Sequence, residues 1–415
     1  MSAEEVPAPA PAPPRGRVGE VFRAFLKLGV SSFGGPAAHL GYFREEFVVR
    51  RRWIGEAQYA ELVALCQFLP GPASSQAGFA LGLLRGGPLG ALAAWAAFTL
   101  PSAALLVLFA AGALAIDGPL GQGALLGLQA VAVAVVAHAV VGMARTLTPD
   151  LRRALIALVS AGLALLLPGS LGQIAAIAAG AAAGALWCRP GPGEQSAEPL
   201  AVAVSRRAAL VALTLFVLLL IGLPLLVRLT SSAWLGAADA FTRAGALVFG
   251  GGHVVLPLLQ AEPAIAGSVS HEQLLAGYAA AQAVPGPLFT VAAAYGFEMA
   301  PGSAALAAAL LALIAVFLPG MLLLIAALPF WNRLRRVPSA RAALAGASAA
   351  VVGILAAALY SPVITSGITG SATLVIALVC ILALRVLRIP AWAVVLGGAA
   401  LGMIAVLTDI GIGWG

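Results

Sequence analysis

Two Pro-Gly-Pro motifs interrupt apolar stretches of the sequence, and each is followed by small hydroxyl-bearing residues. Pro70-Gly71-Pro72 precedes Ser74 and Ser75, and Pro285-Gly286-Pro287 precedes Thr290. Proline is tolerated in the first turn of a helix, so a helix that restarts at either motif leaves its first backbone N–H groups free. The positive end of the helix dipole lies at the same place, and the hydroxyls can donate hydrogen bonds. The pattern predicts a binding site for a tetrahedral oxyanion.

A Phe-Gly-Gly motif also occurs twice, and a basic residue stands shortly before each copy. Lys27 precedes Phe33-Gly34-Gly35, and Arg243 precedes Phe249-Gly250-Gly251. An ionisable residue within an apolar segment costs about 2.5–3.5 kcal/mol on membrane-insertion scales, which favours a functional role. We therefore predict that these two cations neutralise the bound anion. The alternative is that both side chains extend toward the membrane surface.

The four motifs and their neighbours define the predicted substrate-binding residues. The alternative for the small residues among them is ordinary helix packing, because Gly, Ser and Thr let helices approach closely. The predicted set is Lys27, Gly34, Gly35, Pro70, Gly71, Pro72, Ser74, Ser75, Arg243, Gly250, Gly251, Pro285, Gly286, Pro287 and Thr290.

Titratable residues in or beside apolar segments are candidates for proton coupling. Histidine changes charge near physiological pH and is the natural proton carrier. A lone histidine in an apolar segment is also often a hydrogen-bonded packing residue, so both interpretations stay open. The candidates are His39, Glu61, His138, His253 and Glu298.

No motif predicts a metal, a cofactor or catalysis. The three cysteines, Cys66, Cys188 and Cys380, have no C-x-x-C spacing, and the sequence contains no G-x-x-x-x-G-K-[ST] phosphate-binding loop. No clustered acids or H-E-x-x-H motif occur within the apolar segments. We therefore predict a protein that is not an enzyme, that holds no metal or cofactor and that ATP does not drive directly.

The motifs recur in the same order in the two halves of the chain. Phe249 follows Phe33 at an offset of 249 − 33 = 216, and Pro285 follows Pro70 at 285 − 70 = 215. A Leu-Pro pair recurs as well, because Pro319 follows Pro101 at 319 − 101 = 218. Three ordered matches near one offset predict an internal repeat.

The elements that must position these motifs are membrane helices. The 415 residues are 61% hydrophobic and only 9% charged, with a mean hydropathy of +1.02, far more apolar than soluble domains. Each half divides into about six apolar segments, and one further segment, Ala208 to Val227, lies between them. This pattern predicts an all-α integral membrane protein of two inverted repeats with broken or re-entrant helices. The predicted domains are a disordered tail (1–20), an N-terminal repeat (21–190), a linker with a connecting helix (191–230) and a C-terminal repeat (231–415).

The distribution of arginine predicts the topology. Basic residues favour cytoplasmic loops, and simple alternation from a cytoplasmic N-terminus misplaces only the loop with Arg44 and Arg50 to Arg52. That conflict disappears if the first two segments of each half re-enter the membrane, which gives four re-entrant hairpins and nine spans. The predicted location is the cytoplasmic (inner) membrane, with many passes and the N-terminus inside.

The motifs resemble a known family. Phe33-Gly34-Gly35-Pro36-x-x-His39, a charged loop ending in Arg50 to Trp53 and the Leu69-to-Pro72 break look like the chromate ion transporter family in its two-domain form, and the second half is similar to that family's C-terminal domain. The resemblance implies a secondary transporter that exports chromate, driven by the proton gradient, with sulfate as the natural mimic. The loop after Leu259 departs from the charged pattern and keeps only Glu262 and Glu272.

Two other classes of protein fit part of the pattern. A membrane-embedded enzyme acting on lipid phosphates would also bind phosphate in a dry cavity, and a carrier of sulfate or of another small anion fits the predicted architecture equally well. The predicted partners are a chromate- or sulfate-type oxyanion and membrane lipid, with a homodimer left open. Nucleic acid is not predicted, because no basic, aromatic-interleaved face stands outside the apolar segments.

Overall fold

The protein is a bundle of helices joined by short turns. The computed structural model describes residues 17–115, 118–167, 169–188, 204–249, 252–334 and 337–408, and no strand occurs within these ranges. Helices satisfy every interior backbone group within one segment, which is what a chain in lipid requires. The predicted all-α class is therefore confirmed. Most of the predicted N-terminal tail and residues 191–203 of the linker lie outside the described ranges. The first helix begins at Val18, two residues before the predicted end of the tail.

The first half contains seven helices within the described ranges. They are α1 (Val18–Ser31), α2 (Gly35–Phe43), α3 (Glu56–Phe68), α4 (Ala73–Ala115), α5 (Pro119–Leu147), α6 (Leu151–Leu166) and α7 (Ser170–Trp187). A π-helical turn, Arg44–Arg50, follows α2. Helix α8 (Arg206–Thr230) connects the halves.

The second half repeats this order with shorter pieces at the breaks. Its helices are α9 (Ala233–Leu247), α10 (Val255–Gln260), α11 (Pro263–Ala266), α12 (His271–Ala283), α13 (Val291–Met299), α14 (Ala305–Ala327), α15 (Trp331–Leu334), α16 (Pro338–Ala358), α17 (Thr365–Gly367), α18 (Ser371–Arg385) and α19 (Ala391–Leu407).

Side-chain caps fix several helix starts. The Asp150 side chain accepts a hydrogen bond from the backbone N–H of Arg153 at the start of α6, and Ser205 does the same for α8. Ser270 and Gln273 form a reciprocal capping box at the start of α12. Such caps satisfy N–H groups that have no partner within the helix.

The helix breaks fall at the predicted motifs. Glycine has positive φ at the break between α1 and α2 (Gly34, +100°), between α3 and α4 (Gly71, +121°) and between α12 and α13 (Gly286, +110°). Side chains disfavour this left-handed region of backbone space, so glycine is required there. The fourth predicted break, at Gly250 and Gly251, lies outside the described residues. Helix α4 is also kinked at Gly87, where φ is +66°.

The last three helices of each half are interleaved with those of the other half. Helix α5 packs against α18 and α19, and α16 packs against α6 and α7 in the same way. Glycines allow the close approach, because a Cβ on Gly127 would lie within 3 Å of the backbone of Gly398, and one on Gly184 within 3 Å of Gly346. The two halves therefore share one hydrophobic core.

Five helices among the described residues are long and apolar enough to cross a bilayer. They span residues 73–112, 119–147, 206–230, 302–330 and 338–367. Helix α8 is the most exposed of them: it contacts α9 and α14 on one side and presents Leu210, Leu218 and Leu229 outward. An apolar helix with so large an exposed apolar face is suited to contact lipid.

Candidate functional site

The two Pro-Gly-Pro tips form crossed hydrogen bonds between the halves. The backbone N–H of Gly71 donates to the carbonyl of Val248 over 2.7 Å, and the N–H of Gly286 donates to the carbonyl of Ser32 over 2.9 Å. Val248 and Ser32 occupy equivalent positions, since 248 − 32 = 216, the offset of the Phe-Gly-Gly motifs. The tip of each half is thus hydrogen-bonded to the backbone just before the Phe-Gly-Gly motif of the other half.

The tips also press against the proline-containing helices of the opposite half. A Cβ on Gly71 would lie 2.9 Å from the Cα of Gly320 in α14, and a Cβ on Gly286 would lie 2.7 Å from Oγ of Ser102 in α4. Gln76 strengthens the first contact, because its Nε2 donates to the carbonyls of Pro70 and Gly320 at 3.0 and 2.9 Å. Both Pro-Gly-Pro breaks, together with Ser32 and Val248, therefore take part in the contact between the halves.

A cluster of buried polar side chains lies beside the two tips: Ser32 and Ser102 contact the tip with Gly286, and Gln76 contacts the tip with Gly71. All of its members belong to the first half, and each is at most 3% exposed. Nδ1 of His39 lies 3.4 Å from Oγ of Ser74, and the hydroxyl of Ser102 donates to the carbonyl of Thr99 at 3.0 Å. The members are Ser32, His39, Ser74, Ser75, Gln76, Thr99 and Ser102.

Several polar atoms of this cluster have no hydrogen-bond partner among the described residues. They are Oγ of Ser32, Nε2 of His39, Oγ of Ser75, Oε1 of Gln76 and Oγ1 of Thr99. Leaving a buried polar group unpaired costs about 1–3 kcal/mol. Such a concentration of unsatisfied groups is typical of a place where a ligand or water binds.

Several of the equivalent positions in the second half are apolar. Ser32 corresponds to Val248, Ser74 to Phe289 (289 − 74 = 215) and Thr99 to Phe317 (317 − 99 = 218). The rings of Phe289 and Phe317 contact each other, with centroids 5.8 Å apart. Thr290, which corresponds to Ser75, donates its hydroxyl to the carbonyl of Pro287 at 2.6 Å. The backbone of the site is repeated, but its side-chain chemistry is not.

The two predicted cations each form an ion pair with a carboxylate. Nζ of Lys27 lies 3.3 Å from Oε2 of Glu46, and the guanidinium of Arg243 contacts both carboxylate oxygens of Glu262 and lies 2.9 Å from Oδ2 of Asp239. Glu46 and Glu262 are equivalent, because 262 − 46 = 216. The proposed role of both cations in neutralising substrate stays a prediction. In the structure the positive charge of each is already paired with a carboxylate.

The two carboxylates are almost fully buried, at 7% and 2% side-chain exposure for Glu46 and Glu262. Burial by itself would raise the pKa of the Glu46 carboxyl. The hydrogen bonds from Arg51 and Lys27 together have the larger effect and hold this pKa below its ordinary value. Glu262, in the loop that departs from the charged pattern of the first half, is paired with Arg243 of α9.

The five candidates for proton coupling lie in different surroundings. His39 is in the polar cluster, and Glu61 accepts a hydrogen bond from Nε1 of Trp331 at 2.8 Å. Nδ1 of His253 lies 2.7 Å from the hydroxyl of Tyr278, and His138 is exposed. Glu298 lines a small cavity of about 140 Å³ together with Gln129 and Glu272. Proton coupling through these residues stays a prediction.

Sequence reasoning located the breaks but missed several residues around them. Ser32, Gln76, Thr99 and Ser102 were not predicted, because hydroxyl and amide residues are common in membrane helices and none of these stands in a motif. Glu46 and Glu262 were missed although a signal was present: extending the 216-residue offset past the Phe-Gly-Gly motifs pairs them.

The fold and the site define a multi-pass helical membrane protein in which two repeats meet through broken helices. The sequence profile of the chromate transporter family matches residues 19–185 and again residues 235–403. The chain belongs to the chromate transporter family, as its motifs predicted.

Three curated relatives are similar over most of their length. A "Probable chromate transport protein" of Synechococcus elongatus is 30% identical over 80% of this chain and 81% of its own. A "Chromate transport protein" of Pseudomonas aeruginosa is 29% identical over 86% and 82%, and one of Cupriavidus metallidurans is 28% identical over 92% and 91%. These relatives are named as transport proteins. No solved structure matches the chain.

Proposed function

We propose that this protein is a secondary transporter that exports chromate or a similar oxyanion across the cytoplasmic membrane in exchange for protons. The crossed tip contact is the main support for the proposal. Broken helices whose ends meet at the interface of two repeats are the usual substrate site of such carriers. The names of the curated relatives support chromate as the substrate.

The proposal includes an inverted topology. The first two segments of each half re-enter the membrane, so the loop after α2 lies in the cytoplasm and the loop around α11 lies outside. Arg44, Arg50 and Arg51 support a cytoplasmic position for the first loop. The second loop, from Gln260 to Glu272, contains no Lys or Arg. Rocking of one repeat against the other would then open the tips to either side in turn.

Cysteine labelling tests this topology. The three native cysteines are free and buried, so they can be replaced before single cysteines are introduced. Val49→Cys is a suitable probe because Val49 is 47% exposed and stands next to the ion pairs without forming one, and Ala266→Cys is its exposed counterpart. We expect a membrane-impermeant maleimide to label position 266 in intact cells and position 49 only in inside-out vesicles. Labelling of both positions from the same side would contradict the inverted topology.

Flux measurements test the transport reaction itself. Inside-out vesicles that contain the protein are expected to accumulate radiolabelled chromate several-fold above vesicles without it, because export from the cell is uptake into such vesicles. Excess sulfate should compete, since it has the same charge and tetrahedral shape. Dissipating the pH gradient with a protonophore should abolish the accumulation. If sulfate competes with the uptake but a protonophore leaves it unchanged, proton coupling is contradicted and oxyanion transport is not.

A further inference from the structure

The two tips lie on chemically different surfaces. The tip with Gly286 lies against Ser32 and Ser102 of the first half, whereas the tip with Gly71 lies against Val248 and Gly320 of the second half. Only the first of these surfaces offers hydroxyl groups. The two backbone hydrogen bonds are equivalent by the repeat, but the side chains beside them differ between the two tips.

Three polar atoms without partners in the described part of the chain belong to residues that contact the Gly286 tip or stand next to its contacts. Ser32 binds the tip through its carbonyl, and its own hydroxyl is unpaired. Thr99 stands three residues before Ser102 in α4, so the two share one helix face, and Ser102 is in contact with the tip. His39 hydrogen-bonds to the backbone of Ser32, and its Nε2 has no partner among the described residues. All three residues are fully buried.

We propose that the transported oxyanion binds on the first-half side of the Gly286 tip, where the hydroxyls of Ser32 and Thr99 and Nε2 of His39 donate hydrogen bonds to its oxygens. This assignment rests on the proposed transport function and specifies which half of the repeat binds the anion. The second half contributes its tip, and Thr290 is not a donor because its hydroxyl already binds the carbonyl of Pro287.

The donors suit a tetrahedral oxyanion bound without a neighbouring lysine or arginine. When Nδ1 of His39 accepts the hydrogen of the Ser74 hydroxyl, the ring hydrogen is on Nε2, which can then donate. Helix α4 begins at Ala73, next to Ser74, so its positive end adds to the favourable potential. Lys27 and Arg243 are paired with Glu46 and Glu262 and are not required at this place.

Two Thr→Val variants form a matched test. Thr99 and Thr290 are both fully buried, and valine replaces each with nearly the same shape. In purified full-length protein in lipid nanodiscs, Thr99→Val should weaken the binding of radiolabelled sulfate and of chromate about tenfold or more, because a hydrogen bond to a charged group is lost. Thr290→Val should bind both anions with nearly the affinity of the unaltered protein. Ser32→Ala should resemble Thr99→Val.

Thermal unfolding without anion provides a second measurement. In this measurement Thr290→Val, and not Thr99→Val, is expected to be the more affected variant. Thr99→Val should unfold at the same or a higher temperature, because it removes a buried hydroxyl that has no partner among the described residues. Thr290→Val should unfold at a lower temperature, because it removes a hydrogen bond to the tip. Weaker binding in a variant that is no less stable cannot be explained by misfolding.

The outcomes separate this assignment from the proposed function. If the unaltered protein binds both anions and Thr99→Val and Ser32→Ala bind them equally well, the cluster holds only water and the assignment is wrong, while the transport function stands. An equal loss in Thr99→Val and Thr290→Val would also overturn it, in favour of a symmetric site. If the unaltered protein binds neither sulfate nor chromate, the proposed function fails and the assignment fails with it.

Discussion

Replacing Gly71 with alanine is expected to reduce chromate transport to the background level. The backbone of Gly71 has φ of +121°, and a Cβ there would lie 2.9 Å from the Cα of Gly320, a backbone atom that no side-chain rotation can move. Left-handed backbone strain costs about 1–3 kcal/mol, and overpacking adds about 1–3 kcal/mol. The tip must therefore retreat, which breaks its hydrogen bond to Val248. Gly286→Ala should have the same effect on the other tip. Flux into inside-out vesicles measures both.

A control variant separates loss of the tip contact from backbone strain. Gly118 has φ of +140°, and a Cβ added there would meet none of the described residues within 4 Å. Gly118→Ala therefore imposes similar strain without crowding, and we expect it to transport at nearly the unaltered rate. Membrane levels should be compared by immunoblot. Normal transport by Gly71→Ala at a normal protein level would refute the role of the tip contact. An equal loss in Gly118→Ala would attribute the effect to strain alone.

Arg243→Gln is expected to reduce the amount of folded protein much more than Lys27→Gln. It would leave the carboxylates of Glu262 and Asp239 buried without their cation, and removing one partner of a buried ion pair costs about 3–5 kcal/mol. Lys27→Gln should be milder, because Lys27 is 57% exposed and Glu46 keeps Arg51 at 2.8 Å. Size-exclusion profiles of the fluorescently tagged variants in detergent measure the difference.

A neutral triple variant then separates the stability role of Arg243 from the predicted role in substrate binding. In Asp239→Asn/Arg243→Gln/Glu262→Gln no buried charge of this group is left unpaired, so the protein should accumulate again. We expect it to bind sulfate, because the carboxylates already compensate the charge of Arg243 in the structure. Folded triple variant that binds no sulfate would support the original prediction that Arg243 neutralises the anion. Poor folding of the triple variant together with normal folding of Arg243→Gln would contradict the ion-pair argument.

The class of protein, the internal repeat and the position of three helix breaks could be predicted from the amino-acid pattern alone. These features depend on local properties: transfer of apolar segments into lipid, and the backbone freedom of glycine and proline. Gly34, Gly71 and Gly286 could thus be placed at breaks before any contact was known, and all three have positive φ. The family motifs lie in the same local segments, so the family could be recognised as well.

The residues that each break contacts could not be predicted, because they depend on how the two halves pack together. The partners of Gly71 and Gly286 are Val248 and Ser32, more than 170 residues away, on carbonyls that any residue type could supply. The structure also placed the hydroxyl of Thr99 among the unpaired groups beside one tip and bonded that of Thr290 within the other half. Burial and hydrogen bonding depend on what the rest of the chain brings to a side chain, and the residue type alone does not determine it.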